Sequence, residues 1–138
     1  MRKELDDKLV KKYPKIFKDR NADMKETAMC WGFDHDDGWF WLIDNLCESI
    51  QGYIDRNDVP QVVATQVKEK FGSLRFYYEG GNDLIDGMVW LVEDMSYNIC
   101  EICGSTKNVG VTSGWIKTVC KDCVKEKDIK NWEEYEDK

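Results

Sequence analysis

Four of the six cysteines in this chain stand in two matched pairs. Cys100 and Cys103 are separated by two residues, Cys120 and Cys123 likewise, and sixteen residues lie between the pairs. Two tight loops that each present a pair of thiolates can complete a tetrahedron around one metal ion, and zinc is the ion this spacing favours. Four thiolates leave no open coordination position. One structural Zn2+ per chain is therefore the expectation, with hydrolytic chemistry at the metal excluded. A rubredoxin-like iron centre would use the same ligands, but nothing around them points to electron transfer.

Gly104, directly after the first pair, lets the backbone turn so that its amides face sulfur. Residues 108–112 and 115–119 can form a hairpin around Ser113-Gly114, and residues 121–135 a helix whose start carries the second pair. Knuckle, hairpin and helix in that order resemble a treble-clef zinc finger. HNH nucleases also build on a treble clef, but they need histidines near the finger, and the one histidine here is His35. The nuclease reading fails on that chemistry.

Asp34-His35-Asp36-Asp37 is a second cluster, with carboxylates and an imidazole that could hold a divalent cation or move protons. A metal-dependent enzyme centred there is one alternative. Adjacent loop residues point in different directions, however, and a helix cap in a polar turn is the plainer role. Cys30 and Cys47 have no neighbouring base, and Cys47 falls on an apolar stripe that marks it as core. An enzyme is not the expectation. A third cluster mixes Lys68, Lys70 and Arg75 with Phe71, Phe76, Tyr77 and Tyr78. Bases among aromatics suit a single-stranded nucleic acid or a nucleotide, through stacking and phosphate contact. The same mixture suits a protein interface, or simply core aromatics with solvated lysines. Trp115 and Trp132 are further aromatic candidates, with packing against the main domain as their plainer role. The candidate binding surface is thus Lys68, Lys70, Phe71, Arg75, Tyr77 and Trp115.

The elements that must position these residues follow from periodicity. A short helix carries Leu5, Leu9 and Val10 and ends at Pro14; residues 18–28 read as a polar loop. From 36 to 57, Trp39, Leu42, Ile43, Leu46, Cys47, Ile50, Tyr53 and Ile54 recur at helical steps. Val62, Val63, Thr65 and Val67 suit one strand, and Leu74, Phe76 and Tyr78 a second, with Phe71-Gly72 as the hairpin turn. Gly80-Gly81-Asn82 then starts a helix with Leu84, Ile85, Met88, Val89, Val92 and Met95 as its stripe. The fold class is α+β: helices on a small antiparallel hairpin, residues 1–99, with a treble-clef-like four-cysteine module, residues 100–138, docked on it.

Charge is distributed in blocks around a net −7. Residues 1–25 carry nine bases and five acids, whereas residues 26–67 carry Arg56 against eight acids. No long basic face emerges, which disfavours general duplex binding through counterion release. The acidic stretch reads as solvated helix faces or as a surface for a basic partner. No apolar run approaches bilayer length and the start has no signal-like apolar core. A reducing cytoplasm is the expected compartment, where cysteines serve metals or stay free.

The run WGFDHDDGWFWLIDNLCESIQ, then PQVVATQVKEKFGSLRFYYEGG, then a helix and CEICG…WIKTVCKDC resembles a family of small phage- and prophage-encoded proteins. The resemblance covers residues 10–125 and rests on Gly38-Trp39-Phe40, the 67–77 hairpin and the cysteine quartet together. Family members commonly carry Cys and Gly where this chain has His35 and Asp36, which argues against a catalytic His35. The resemblance implies a setting: the cytoplasm of an infected host. The expected function is a stoichiometric binder or inhibitor of a host macromolecule, such as one of host defence; a phage macromolecule is a further candidate partner. A single-stranded nucleic-acid or nucleotide binder using the 67–78 hairpin is the first alternative.

Overall fold

A computed structural model of the chain describes residues 1–136. Helix α1 (Lys3–Lys12) carries Glu4 and Asp6 in its first turn and Lys11 and Lys12 in its last, matching the helix dipole. It stops at Tyr13, ahead of Pro14. The segment read as a polar loop instead turns through two short 3₁₀ segments, Lys18–Asn21 and Ala28–Trp31, and sends Phe17 and Met29 into the core. Arg20 fixes this segment. Its guanidinium forks onto Asp6 at 2.8–3.1 Å and donates to the Cys30 carbonyl at 2.8 Å.

Strand β1 (Phe33–Asp34) is too short for alternation to reveal it, and pairs in parallel with β2 (Val63–Lys70). A 3₁₀ turn over Asp37–Trp39 leads into α2 (Phe40–Arg56). Leu42, Ile43, Leu46, Cys47 and Ile50 are its buried stripe. Neither Asp36 nor Asp37 caps this helix. Asp36 turns to Lys117 and Asp37 to Arg2, because each finds a cation in place of free amides.

Strands β2 and β3 (Ser73–Glu79) form the antiparallel hairpin, with a bulge near Thr65. At its turn Phe71 and Gly72 both have positive φ, +52° and +85°, as a tight two-residue hairpin loop requires. Helix α3 (Asp83–Ser96) starts at Asn82, whose side chain accepts from the Ile85 amide at 3.2 Å. Ile85 and Val89 are buried; Leu84 leaves the expected stripe and faces solvent. The helix also covers the open edge of β3. The Leu74 amide donates to Ser96 Oγ and the Phe76 amide to Glu93 Oε2, so two edge donors are satisfied.

The C-terminal module forms a second sheet in the order β5-β4-β6, from β4 (Val109–Thr112), β5 (Thr118–Cys120) and β6 (Trp132–Glu134). The helix expected over 121–135 is only α4, Lys121–Glu126. Asp128 and Asn131 adopt positive φ, which ends the helix and turns the chain back. The remainder pairs with β4, and Trp132 donates its indole N–H to the Val119 carbonyl at 2.8 Å. Residues 115–117, expected in the hairpin's second strand, form a loop that Thr112 Oγ1 pins by accepting from the Lys117 amide. Residues 137 and 138 of the sequence-defined module lie outside the described residues. The architecture is α+β with small sheets, and its four-cysteine cluster is compatible with a zinc module. Among the described residues no helix is long and apolar enough to cross a membrane.

Candidate metal centre and binding cleft

The turn after α3 and the start of α4 bring Cys100, Cys103, Cys120 and Cys123 together, with their Sγ atoms all within 4.8 Å of one another. Cys103 and Cys120 sulfurs are 3.6 Å apart. Zinc–sulfur bonds of about 2.3 Å in a tetrahedron put sulfurs about 3.8 Å apart, so the group has the dimensions of a metal site. Gly104 has φ +82° and donates its amide to the Cys100 carbonyl at 2.8 Å, closing the knuckle. Burial pushes the Cys103 and Cys123 thiols up, and their crowded sulfur neighbours add to the rise at Cys123. The four sulfurs together can hold a metal ion, and a bound dication would offset the cost of burying charged thiolates side by side. Val109 and Val119 complete the small buried core around them, with Trp132 packed on it.

The knuckle's backbone makes close contacts with the rest of the chain. Gly38 donates its amide to the Glu101 carbonyl at 2.7 Å, and the Trp39 indole donates to the Ile99 carbonyl at 3.0 Å. A side chain at position 38 would collide with the Cys100 carbonyl oxygen and stand 2.6 Å from the Glu101 carbonyl carbon, so this approach needs glycine. On the other side, Thr118 Oγ1 donates to the Gly72 carbonyl at 2.6 Å.

Between these two seams lies a cleft of about 740 Å³. Its walls are β1 with the 35–36 turn, the end of β2 with Phe71, and the 114–117 loop; Met1 and Glu101 complete the lining. Of the candidate surface, Lys68, Lys70, Phe71 and Trp115 line it together. Arg75 and Tyr77 do not: with Lys70, Phe71 and Trp90 they line a separate groove, and Arg75 stands 4.0 Å from Glu93. Phe71 is the ridge between the two. Trp115 does not pack against the main domain, being 86% exposed, and Phe71 is 68% exposed.

Comparison with protein-family models, with curated proteins and with solved structures finds no match to this chain. The chemistry of the cleft must therefore be read from its own groups.

Glu101 is 3% exposed. One of its oxygens accepts from the Asp36 amide at 3.0 Å and stands 3.6 Å from Lys117 Nζ, which is itself 2.6 Å from Asp36. Its other oxygen has no partner among the described residues, and burial pushes its carboxyl up. His35 is 6% exposed, held edge-on to Phe33 and tilted against Trp39. Its Nδ1 lies 2.7 Å from the Asp36 carbonyl and must donate there, which leaves Nε2 with a lone pair and no partner. Burial pushes the imidazole down to about 4, keeping it neutral. Glu69 Oε2 is likewise buried and unpartnered. All three residues line the cleft.

Among the described residues, the four cysteines are the one group of three or more metal-type side chains so closely spaced. Asp34, Asp36 and Asp37 are not assembled into another, since Asp34 is exposed and the other two are committed to Lys117 and Arg2. Among the described residues no side chain hydrogen-bonds to His35 Nε2, so no nucleophile–base pair is formed there. Cys47 is fully buried and burial pushes its thiol well up, as befits a core residue. Glu69, Glu101 and Lys117 were missed by sequence reasoning. Glu101 sits between two expected ligands, but nothing in a C-x2-C pattern says which way an intervening carboxylate points.

Proposed function

We propose that this chain is a stoichiometric binding protein whose working surface is the cleft between the Phe71 turn and the Trp115 loop. The four cysteines hold one structural zinc ion, which fixes the Trp115 wall. The observation that carries this reading is the set of buried polar atoms without partners at Glu69, Glu101 and His35, all lining one cleft. Buried polar groups are satisfied in nearly every folded protein, and those that are not await a ligand, an ion or ordered water. Two large aromatic rings beside the cleft lie in solvent. Phe71 holds a bulky side chain at positive φ with its ring in solvent, and Trp115 is more exposed still.

The zinc ion, when bound, supplies folding free energy and no open coordination position. The protein's own residues do the recognition: the carboxylates accept, the aromatics cover, and Lys68 and Lys70 stand at the rim. In the phage setting that the resemblance implies, such a protein acts by occupying what it binds. Native mass spectrometry of the zinc-loaded chain after incubation with host lysate tests this. A retained species lost in Trp115→Ala and Glu69→Gln, but kept in the remote Lys18→Ala, is expected. Retention that ignores the cleft variants would contradict it.

A further inference from the structure

The three buried unpartnered atoms belong to residues that line the cleft, and they share one character. Two are carboxylate oxygens, and His35 Nε2 is an acceptor because its Nδ1–H is spent on the Asp36 carbonyl. Acceptors without donors call for an occupant rich in N–H groups. A bare metal ion is disfavoured by spacing, since these atoms are not drawn together as the four sulfurs are. A simple cation is disfavoured by Lys68 and Lys70, which line the same cleft and are paired with no carboxylate among the described residues. Of the other lining residues, two present exposed flat rings, Phe71 from the hairpin turn and Trp115 from the 114–117 loop, while the Met1 ammonium and Lys117 add positive charge. The occupant must therefore be planar, carry adjacent N–H donors on one edge, and bear an anionic group.

We propose that the cleft receives a guanine nucleotide, with its N–H edge on Glu69 and Glu101, its ring against Phe71 and Trp115, and its phosphate on Lys68 and Lys70. Guanine is the base that sets two adjacent donors, its ring N–H and its amino group, on its pairing edge. Adenine and cytosine place an acceptor nitrogen beside the amino group, and uracil flanks its one N–H with carbonyl oxygens. Buried carboxylates repel those acceptors. Stacking on exposed aromatics and phosphate contact by lysine supply affinity without reading the base. At about 740 Å³ the cleft has room for a nucleotide with water. The same chemistry comes from a free nucleotide or from a guanine within a single strand. The proposal rests on the cleft being the binding surface.

Calorimetric titration of the zinc-loaded full chain with GMP, AMP, CMP and UMP tests it. GMP should bind roughly tenfold or more tightly than the other three, the scale of one lost charge-assisted hydrogen bond. Glu69→Gln should erase that preference, and Lys68→Ala with Lys70→Ala should weaken GMP and flatten its salt dependence. Glu101→Gln should act as Glu69→Gln does; if it fails to fold, the Glu69 variant decides alone. A uridine heptamer with one central guanosine, compared with the all-uridine heptamer, distinguishes the sources: tighter than GMP means a strand, weaker means the free nucleotide. Equal binding of the four nucleotides, no binding of any, or a guanine preference that survives Glu69→Gln overturns the proposal. An arginine-rich peptide that binds in its place and is lost in Glu69→Gln also overturns it, while leaving the cleft as the binding surface. If lysate-derived retention is likewise blind to the cleft variants, the cleft reading itself falls.

Discussion

Acid should unfold this protein through His35 before its exposed carboxylates matter. The imidazole is buried against Phe33 and Trp39, and burial holds it neutral in the folded chain down to about pH 4. In the unfolded chain it takes up a proton near its ordinary value of about 6.5. The unfolded state therefore binds more protons between those values, and stability rises with pH across that window. The stabilisation is fully present above about pH 6.5 and is lost as the pH falls towards the folded value. A depression from 6.5 to about 4, at 1.36 kcal/mol per unit, amounts to about 3 kcal/mol. Against a typical total of roughly 5–15 kcal/mol that is a large share. Urea unfolding of the zinc-loaded chain from about pH 7 to about pH 4 measures it, with His35→Gln as the background. The comparison is needed because acid would also protonate thiolate ligands and release a metal held by them. The difference in stability between the two proteins should shrink or reverse by about 3 kcal/mol over that range. A difference that does not change with pH would refute the reasoning.

Chelating the metal should strip hydrogen-exchange protection from β4 and β5 first and then from residues 36–39, which hydrogen-bond to Ile99 and Glu101; equal loss throughout α2 would contradict a local role. Asp6→Ala leaves Arg20 without its bidentate partner and should cost about 2 kcal/mol, measured by urea unfolding, the partial exposure of the pair keeping it below a fully buried one. A loss under about 0.5 kcal/mol would place that pair among inert surface ion pairs. Phe71→Asn suits the positive φ of the turn better than phenylalanine, so stability should stay within about 1 kcal/mol of the parent or exceed it while cleft binding falls. A destabilisation beyond about 2 kcal/mol would mean that the Phe71 ring is structural.

Much of the fold was legible because its signals are local. The stripe from Leu42 to Ile50, the Phe71-Gly72 turn and the Asn82 cap each depend on neighbours within a few residues. The cysteine quartet was legible because its spacing is itself the chemistry. What failed was set at long range. Strand β1 has two residues and no pattern, and β6 looked helical until the positive φ at Asp128 and Asn131 turned it back. Asp36 looked like a cap because its cation, Lys117, lies eighty-one residues away. The cleft illustrates the same limit. Lys68, Lys70, Phe71 and Trp115 were singled out by type, but Glu69 and Glu101 join them only once the hairpin and the knuckle are side by side.

The most direct test of the cleft is covalent capture. A photoreactive benzoylphenylalanine introduced at Trp115, and separately at the likewise exposed Trp41 on α2, would report what touches each surface in a cell lysate. The account predicts a defined adduct, small molecule or macromolecule, from position 115, lost when Glu69→Gln is added, and none from position 41. An adduct from position 41 alone, or one from position 115 that is indifferent to Glu69→Gln, would contradict it.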